Sequence, residues 1–89
     1  MTPEKSVPTD DRAARVFIVD DHPIVRQGLA QLLEHEEGLT VCGEAPSAKA
    51  ALESIAESRP DIAIVDIMLK DMNGIELIKK LKMPRSYLP

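Results

Sequence analysis

Three acidic residues stand where carboxylate chemistry is of use. Asp20-Asp21 follows directly on Val16-Phe17-Ile18-Val19, and Asp66 follows directly on Ile62-Ala63-Ile64-Val65. Both apolar runs are short and rich in β-branched residues, which suits strands covered on both faces. In a parallel α/β sheet the ligand sits beyond the carboxyl ends of the strands, where the strand order reverses. If these two strands are neighbours, their three carboxylates converge on one spot. Converging carboxylates repel, so some must take up protons unless a cation lies between them. A hard divalent ion answers that need. Mg2+ fits better than Ca2+, because a few carboxylates completed by water and a phosphate oxygen match its octahedral habit. A single Asp after a strand more often caps a helix or solvates a loop. Two strand ends that match, one of them doubled, weaken that simpler explanation.

The elements that must position these acids are legible as an alternation. Pro23 can occupy the first turn of a helix without losing a hydrogen bond, and Val25, Leu29, Leu32 and Leu33 form a helical stripe after it. Gly38 is a plausible stop. Leu39 to Cys42 reads as a second, less apolar strand, nearer an edge of the sheet. Ser47 suits an N-cap, and Ala48, Ala51, Leu52, Ile55 and Ala56 give the cleanest helical period before Arg59-Pro60 ends it. After the third strand and its Asp66, a loop runs to Asn73-Gly74, and Ile75, Ile78 and Leu81 mark a third helix stopped by Pro84. The order β-α-β-α-β-α predicts a parallel sheet with right-handed crossovers.

Composition narrows the function classes. The chain has 89 residues, enough for one small domain. Phe17 and Tyr87 are its only aromatic residues, so the core must be built from aliphatic side chains. A net charge of -4 without any basic block argues against direct nucleic-acid binding by this segment. The single Cys42 excludes an internal disulfide and reads as a buried strand residue. Residues 1–14 contain Pro3 and Pro8 and no apolar period, and are expected to be a flexible tail. No stretch approaches the ~20 apolar residues of a membrane helix, so no membrane partner is expected and the default location is cytoplasmic.

With these residues in view, the sequence resembles a known family. Val19-Asp20-Asp21-His22-Pro23, then Asp66 after an apolar strand, then Met72-Asn73-Gly74, resemble the receiver domain of two-component response regulators. The stretch from Asp20 to Leu29, DDHPIVRQGL, is similar to the NarL/FixJ-type subfamily. The resemblance covers about residues 15 to 83. It implies a flavodoxin-like doubly wound sheet of strand order 2-1-3-4-5, of which this chain carries the first half. It implies that Asp66 is the nucleophile, taking a phosphoryl group from a sensor histidine kinase or a small phosphodonor. Asp21 would bind Mg2+ directly, Asp20 mainly through water, and the backbone carbonyl of Met68 would add another oxygen. Gly74 would allow a tight approach of loop to helix. His22 reads as an ordinary loop side chain, and so does Lys70, which stands where the family often has Pro.

On that pattern residues 84–89 would begin a fourth strand, while the hydroxyl residue and the lysine of later strands lie outside the sequence. The third strand, Ile62 to Val65, would then be an exposed edge, and a homodimer or swapped dimer through it is expected. Transfer to Asp66 would be slow or absent, and a phosphorylation-impaired module that only pairs with other chains is the alternative reading. Control of transcription would belong to a longer parent with a helix-turn-helix output domain. Turnover catalysis is not expected. A phosphatase of the haloacid dehalogenase type also uses a strand-end Asp, but it needs a second acid two residues on, where this chain has Met68.

Overall fold

The computed structural model describes residues 13–81 and the backbone of 86–87. The expected tail, apart from Ala13 and Ala14, therefore lies outside the described residues, as do 82–85 and 88–89. The elements are β1 (Ala14–Val19), α1 (Pro23–Glu34), β2 (Leu39–Ala45), α2 (Ala48–Ser58), β3 (Ile62–Val65), α3 (Gly74–Leu81) and β4 (Ser86–Tyr87). The strands form one sheet in the order β2-β1-β3-β4, and every pairing is parallel. The fold class expected from the alternation is the one observed, with β2 at the edge.

β1 is the axis of the molecule. Val16, Phe17, Ile18 and Val19 are all buried, as a strand covered on both faces must be. Alternation sends Phe17 and Val19 to one face, where they pack with Ala63 and Val65 of β3 and with Ala48, Ala51, Leu69 and Leu77. Opposite Phe17 the β1–β2 register slips by one residue and places Gly43 across from the ring. A Cβ at Gly43 would lie 2.7 Å from that ring, so a glycine is what admits the one aromatic side chain of the core cluster. β3 is buried on this face through Ala63 and Val65, whereas Ile62 and Ile64 on the other face are half-buried.

Three expectations need correction. α1 lies against β1 and β2 but contains no buried residue, and Val25 and Leu32 of the expected core stripe are mostly exposed, Leu32 at 69%. The stripe is real as a period, yet the sheet receives only its half-buried part, Leu29 and Leu33. In α3 the buried positions are Gly74 and Leu77, while Ile75 is 45% exposed. The face turned to the core is thus 74, 77, 78 and 81, which keeps Ile78 and Leu81 of the spacing read in the sequence and has Gly74 and Leu77 in place of Ile75. Finally, β3 is not an open edge along its length. Ala63 and Ile64 pair with Ser86 and Tyr87 of β4, so the chain itself occupies the ladder through which a dimer was expected.

The helix ends follow local chemistry. Ser47 Oγ accepts a hydrogen bond from the Ala50 amide, as its N-cap position predicts. α2 stops at Arg59, whose backbone is left-handed (φ 50°). Its terminal carbonyls on Ser58 and Arg59 accept from the Arg15 guanidinium of β1. α1 ends at Glu34, before Gly38, whose φ of 85° serves the turn into β2 rather than the helix cap.

Candidate functional site

The site is the place where β1 and β3 end together. Val19 pairs with Val65, and the Asp66 amide continues the ladder by donating to the Val19 carbonyl at 3.0 Å. On the other side of β1 the Asp20 amide donates to the Ala45 carbonyl of β2 at 3.1 Å. The acids that follow the two strands therefore meet because their backbones are hydrogen-bonded neighbours. Carboxylate oxygens of Asp20, Asp21 and Asp66 and a ring nitrogen of His22 all lie within 4.8 Å of one another.

Each acid has a different environment. Asp20 is buried, and its Oδ1 accepts from the His22 backbone amide at 2.8 Å and contacts His22 Nδ1 at 2.9 Å. Asp66 is half-buried; its Oδ1 accepts from the Met68 amide at 3.0 Å, which leaves Oδ2 toward the cluster, 3.7 Å from His22 Nδ1. Asp21 is the anomaly. Its side chain is only 9% exposed, and neither carboxylate oxygen has a hydrogen-bond partner. His22 Nδ1 lies 3.0 Å from Asp21 Oδ1, but that contact lacks hydrogen-bond geometry and counts as charge proximity alone. A buried carboxylate left unpaired costs at least ~1–3 kcal/mol. Such a group is expected where a cation completes the site.

The electrostatics agree. Two like charges ~4 Å apart repel by about 4 kcal/mol under surface-like screening. The His22 imidazole is held above its ordinary pKa, chiefly by its hydrogen bond to Asp20 and then by the charge of Asp21. The donor set is three carboxylates and one imidazole, so the residues fit a divalent ion on grounds of charge and of the unpaired Asp21 oxygens.

Several contributors could not be read from the sequence. The Arg26 guanidinium of α1 donates to the Asp20 carbonyl at 2.7 Å and pairs with Glu44 at 3.2 Å, tying the loop after β1 to α1 and β2. Asp71, in the loop after β3, accepts from the amides of Ala48 and Lys49 at 3.0 Å each. It thereby caps α2 from 22 or more residues away, where no spacing rule applies. Gly74 N–H donates to the Ile67 carbonyl at 2.8 Å and brings α3 against the backbone that carries Asp66. Met68 and Lys70 are exposed, and Cys42 is half-buried in β2 with its thiol pKa raised by burial.

The Asp71 contact makes a pH prediction. The amides of Ala48, then Lys49, hold its carboxyl below the usual aspartate value of 3.8. A depressed folded-state pKa contributes stability that is present above the unfolded value and is lost as pH falls through the folded one. Asp71→Ala should therefore lower the urea midpoint at neutral pH, and its gap from the native chain should narrow as pH falls below the ordinary aspartate value and through the depressed one. A gap of constant size from neutral to acid would exclude the charged cap.

Comparison with known proteins places this geometry. Residues 16–89 match the family described as response regulator receiver domain. The chain is similar to the DNA-binding transcriptional activator DevR/DosR of Mycobacterium tuberculosis, 48% identical over 67 residues, covering 75% of this chain and 31% of that protein. It is also similar to the nitrate/nitrite response regulator protein NarL of Escherichia coli, 32% identical, covering 83% and 34%. Among solved structures, the signal receiver domain of a NarL response regulator from Mycobacterium tuberculosis superposes with a TM-score of 0.76 at 32% identity, covering 86% of this chain and 65% of that one. The response regulator domain of Thermotoga maritima CheB gives 0.77 at 32% identity, covering 86% and 60%. The chain spans about a third of the length of the curated relatives it matches.

Proposed function

Because this chain belongs to the response regulator receiver domain family, we propose that its acidic pocket binds Mg2+ and that Asp66 accepts a phosphoryl group from a sensor histidine kinase. The observation that carries this reading is the pair of buried, unpartnered Asp21 oxygens set among the carboxylates of Asp20 and Asp66. Asp21 and Asp66 would hold the ion directly, the Met68 backbone carbonyl would add a third oxygen, and Asp20 would act mainly through water. When bound, Mg2+ offsets charge on the transferring phosphoryl group.

The chain's own residues set up the transfer. The Met68 amide donates to one Asp66 oxygen, which orients the carboxylate with its other oxygen toward the cluster. That oxygen forms the new bond to phosphorus, and the leaving group departs with its electron pair. Asp20, held by the His22 amide and ring, keeps the loop after β1 in place for the metal. The curated relatives include a DNA-binding transcriptional activator and a transcriptional regulatory protein. We extend that role to the longer protein to which this domain belongs: phosphorylation here would govern a DNA-binding segment elsewhere.

The test is labelling by acetyl phosphate with and without Mg2+, followed by chemical trapping of the acyl phosphate and peptide mapping. Label at Asp66 that needs Mg2+ supports the reading. Label confined to His22, label indifferent to chelation, or no label at Asp66 overturns it.

A further inference from the structure

We propose that His22 is a fourth ligand of this pocket, which makes it a site for a divalent transition ion of the imidazole-preferring kind, such as Ni2+, Co2+ or Zn2+. The inference rests on the reading of the pocket as a metal site and goes beyond it, because it names a nitrogen donor and a second class of ion. The first observation is distance. His22 Nδ1 lies 2.9 Å from Asp20 Oδ1, 3.0 Å from Asp21 Oδ1 and 3.7 Å from Asp66 Oδ2. Ligand atoms each ~2.1 Å from one ion, at adjacent octahedral or tetrahedral positions, stand about 3.0–3.4 Å apart. The imidazole nitrogen is thus spaced from the Asp21 oxygen as two ligands of one ion are; a small approach of Asp66 completes the set, and the 2.9 Å contact with Asp20 is a hydrogen bond that the ring exchanges for the ion.

The second observation is independent of those contacts. Both oxygens of Asp21 are buried and lack any hydrogen-bond partner, so the cluster holds an unmet carboxylate of the kind a bound cation satisfies. The imidazole does not supply that partner, since its hydrogen bond is directed to Asp20.

The chemistry follows from donor type. Carboxylate and carbonyl oxygens alone favour Mg2+, Ca2+ and Mn2+, whereas an imidazole favours Zn2+, Cu2+ and Ni2+. Mg2+ gives up its water shell reluctantly and has little to gain from a nitrogen. A Ni2+ or Co2+ ion gains a strong ligand from the same ring. His22 is well placed to act this way: its side chain is 61% exposed and can turn, while its backbone is pinned to Asp20.

The experiment compares the native chain with His22→Ala and His35→Ala in metal-free buffer. Each is titrated with MgCl2, NiCl2 and CoCl2, with calorimetry for affinity and the visible Co2+ spectrum for ligand type. His35 is the other histidine of the chain, exposed and contacting the Gln31 carbonyl, and it controls for surface binding. The ratio of Ni2+ to Mg2+ affinity should fall on the order of 10–100-fold in His22→Ala and stay as native in His35→Ala. The Co2+ spectrum of His22→Ala should become that of an all-oxygen site. If the ratio is the same in native and His22→Ala chains, His22 is not a ligand, and the Mg2+ pocket stands without it. If the native chain binds neither Mg2+ nor Ni2+, the pocket reading fails along with the inference.

Discussion

Asp66→Ala should reduce phosphoryl labelling to background while leaving the chain folded, and Asp21→Asn should come close to the same loss by another route. Asp66 is half-buried at the end of β3, and its side chain makes one local hydrogen bond, to the Met68 amide. Truncating it frees one amide at the surface and removes a charge from a crowded cluster, so the cost in stability is small. Loss of a nucleophile that forms a covalent intermediate, by contrast, lowers such a reaction by more than about 10³-fold. Asp21→Asn leaves the nucleophile in place but removes one of the two carboxylates proposed to touch the metal, so Mg2+ binding should weaken by an order of magnitude or more. It should also stabilise the metal-free chain, since it relieves repulsion with Asp20 and Asp66 and replaces a buried, unpaired carboxylate by a neutral amide. Thermal melts with and without MgCl2, read beside acetyl phosphate labelling, separate the two variants. An Asp66→Ala chain that still takes Mg2+-dependent label elsewhere in the pocket would mean that the nucleophile is misassigned. An Asp21→Asn chain whose melt still rises with MgCl2 as the native one does would remove Asp21 from the ligand set.

Gly74→Ala should be the most damaging single methyl group in the chain. A Cβ there collides with the Asp66 carbonyl oxygen and stands 2.8 Å from the Ile67 Cα. Both neighbours are backbone, so no side chain can swing away. Either α3 withdraws or the end of β3 moves. Overpacking of a tight site costs about 1–3 kcal/mol, and in a domain of this size each kcal/mol lowers the melting temperature by roughly 4–8 °C. Because the clash falls on the peptide that carries Asp66, Mg2+ affinity should fall with stability. Gly28→Ala is the matched control. Gly28 lies within α1, nothing stands within 4 Å of its missing Cβ, and alanine there should stabilise by about 0.5–1 kcal/mol. Equal melting temperatures for the two variants would show that α3 is not held against Asp66 as described.

The contrast between these glycines bears on what was legible in advance. Gly74 could be suspected from the sequence only through the resemblance of Met72-Asn73-Gly74 to the receiver-domain motif. The atoms it must avoid were visible only once α3 and β3 were packed. Similarly, the apolar positions of α1 and α3 were plain, but which of them meet the sheet was not. Val25, Leu32 and Ile75 are apolar and exposed, while Gly74 is buried and has no side chain to advertise it. Periodicity reports where apolar groups recur along a helix; the neighbour decides which arc of that helix is covered.

The chain order of strands and helices and the parallel sheet followed from local pattern plus one topological rule, whereas the meeting of Asp20, Asp21 and Asp66 followed only on the condition that β1 and β3 are neighbours, an order that the family resemblance implied. Buried-type strands ending in acid leave few arrangements, and a parallel sheet puts their carboxyl ends on one side. The tertiary structure alone decided the rest. It set the Asp71 cap on α2, the hold of Arg26 on the Asp20 carbonyl and the unpaired state of Asp21. These are contacts between residues distant in sequence, made by donors and acceptors common on any polar surface. Nothing in a residue's identity says which distant backbone group it will face, and only the packed chain supplies that direction.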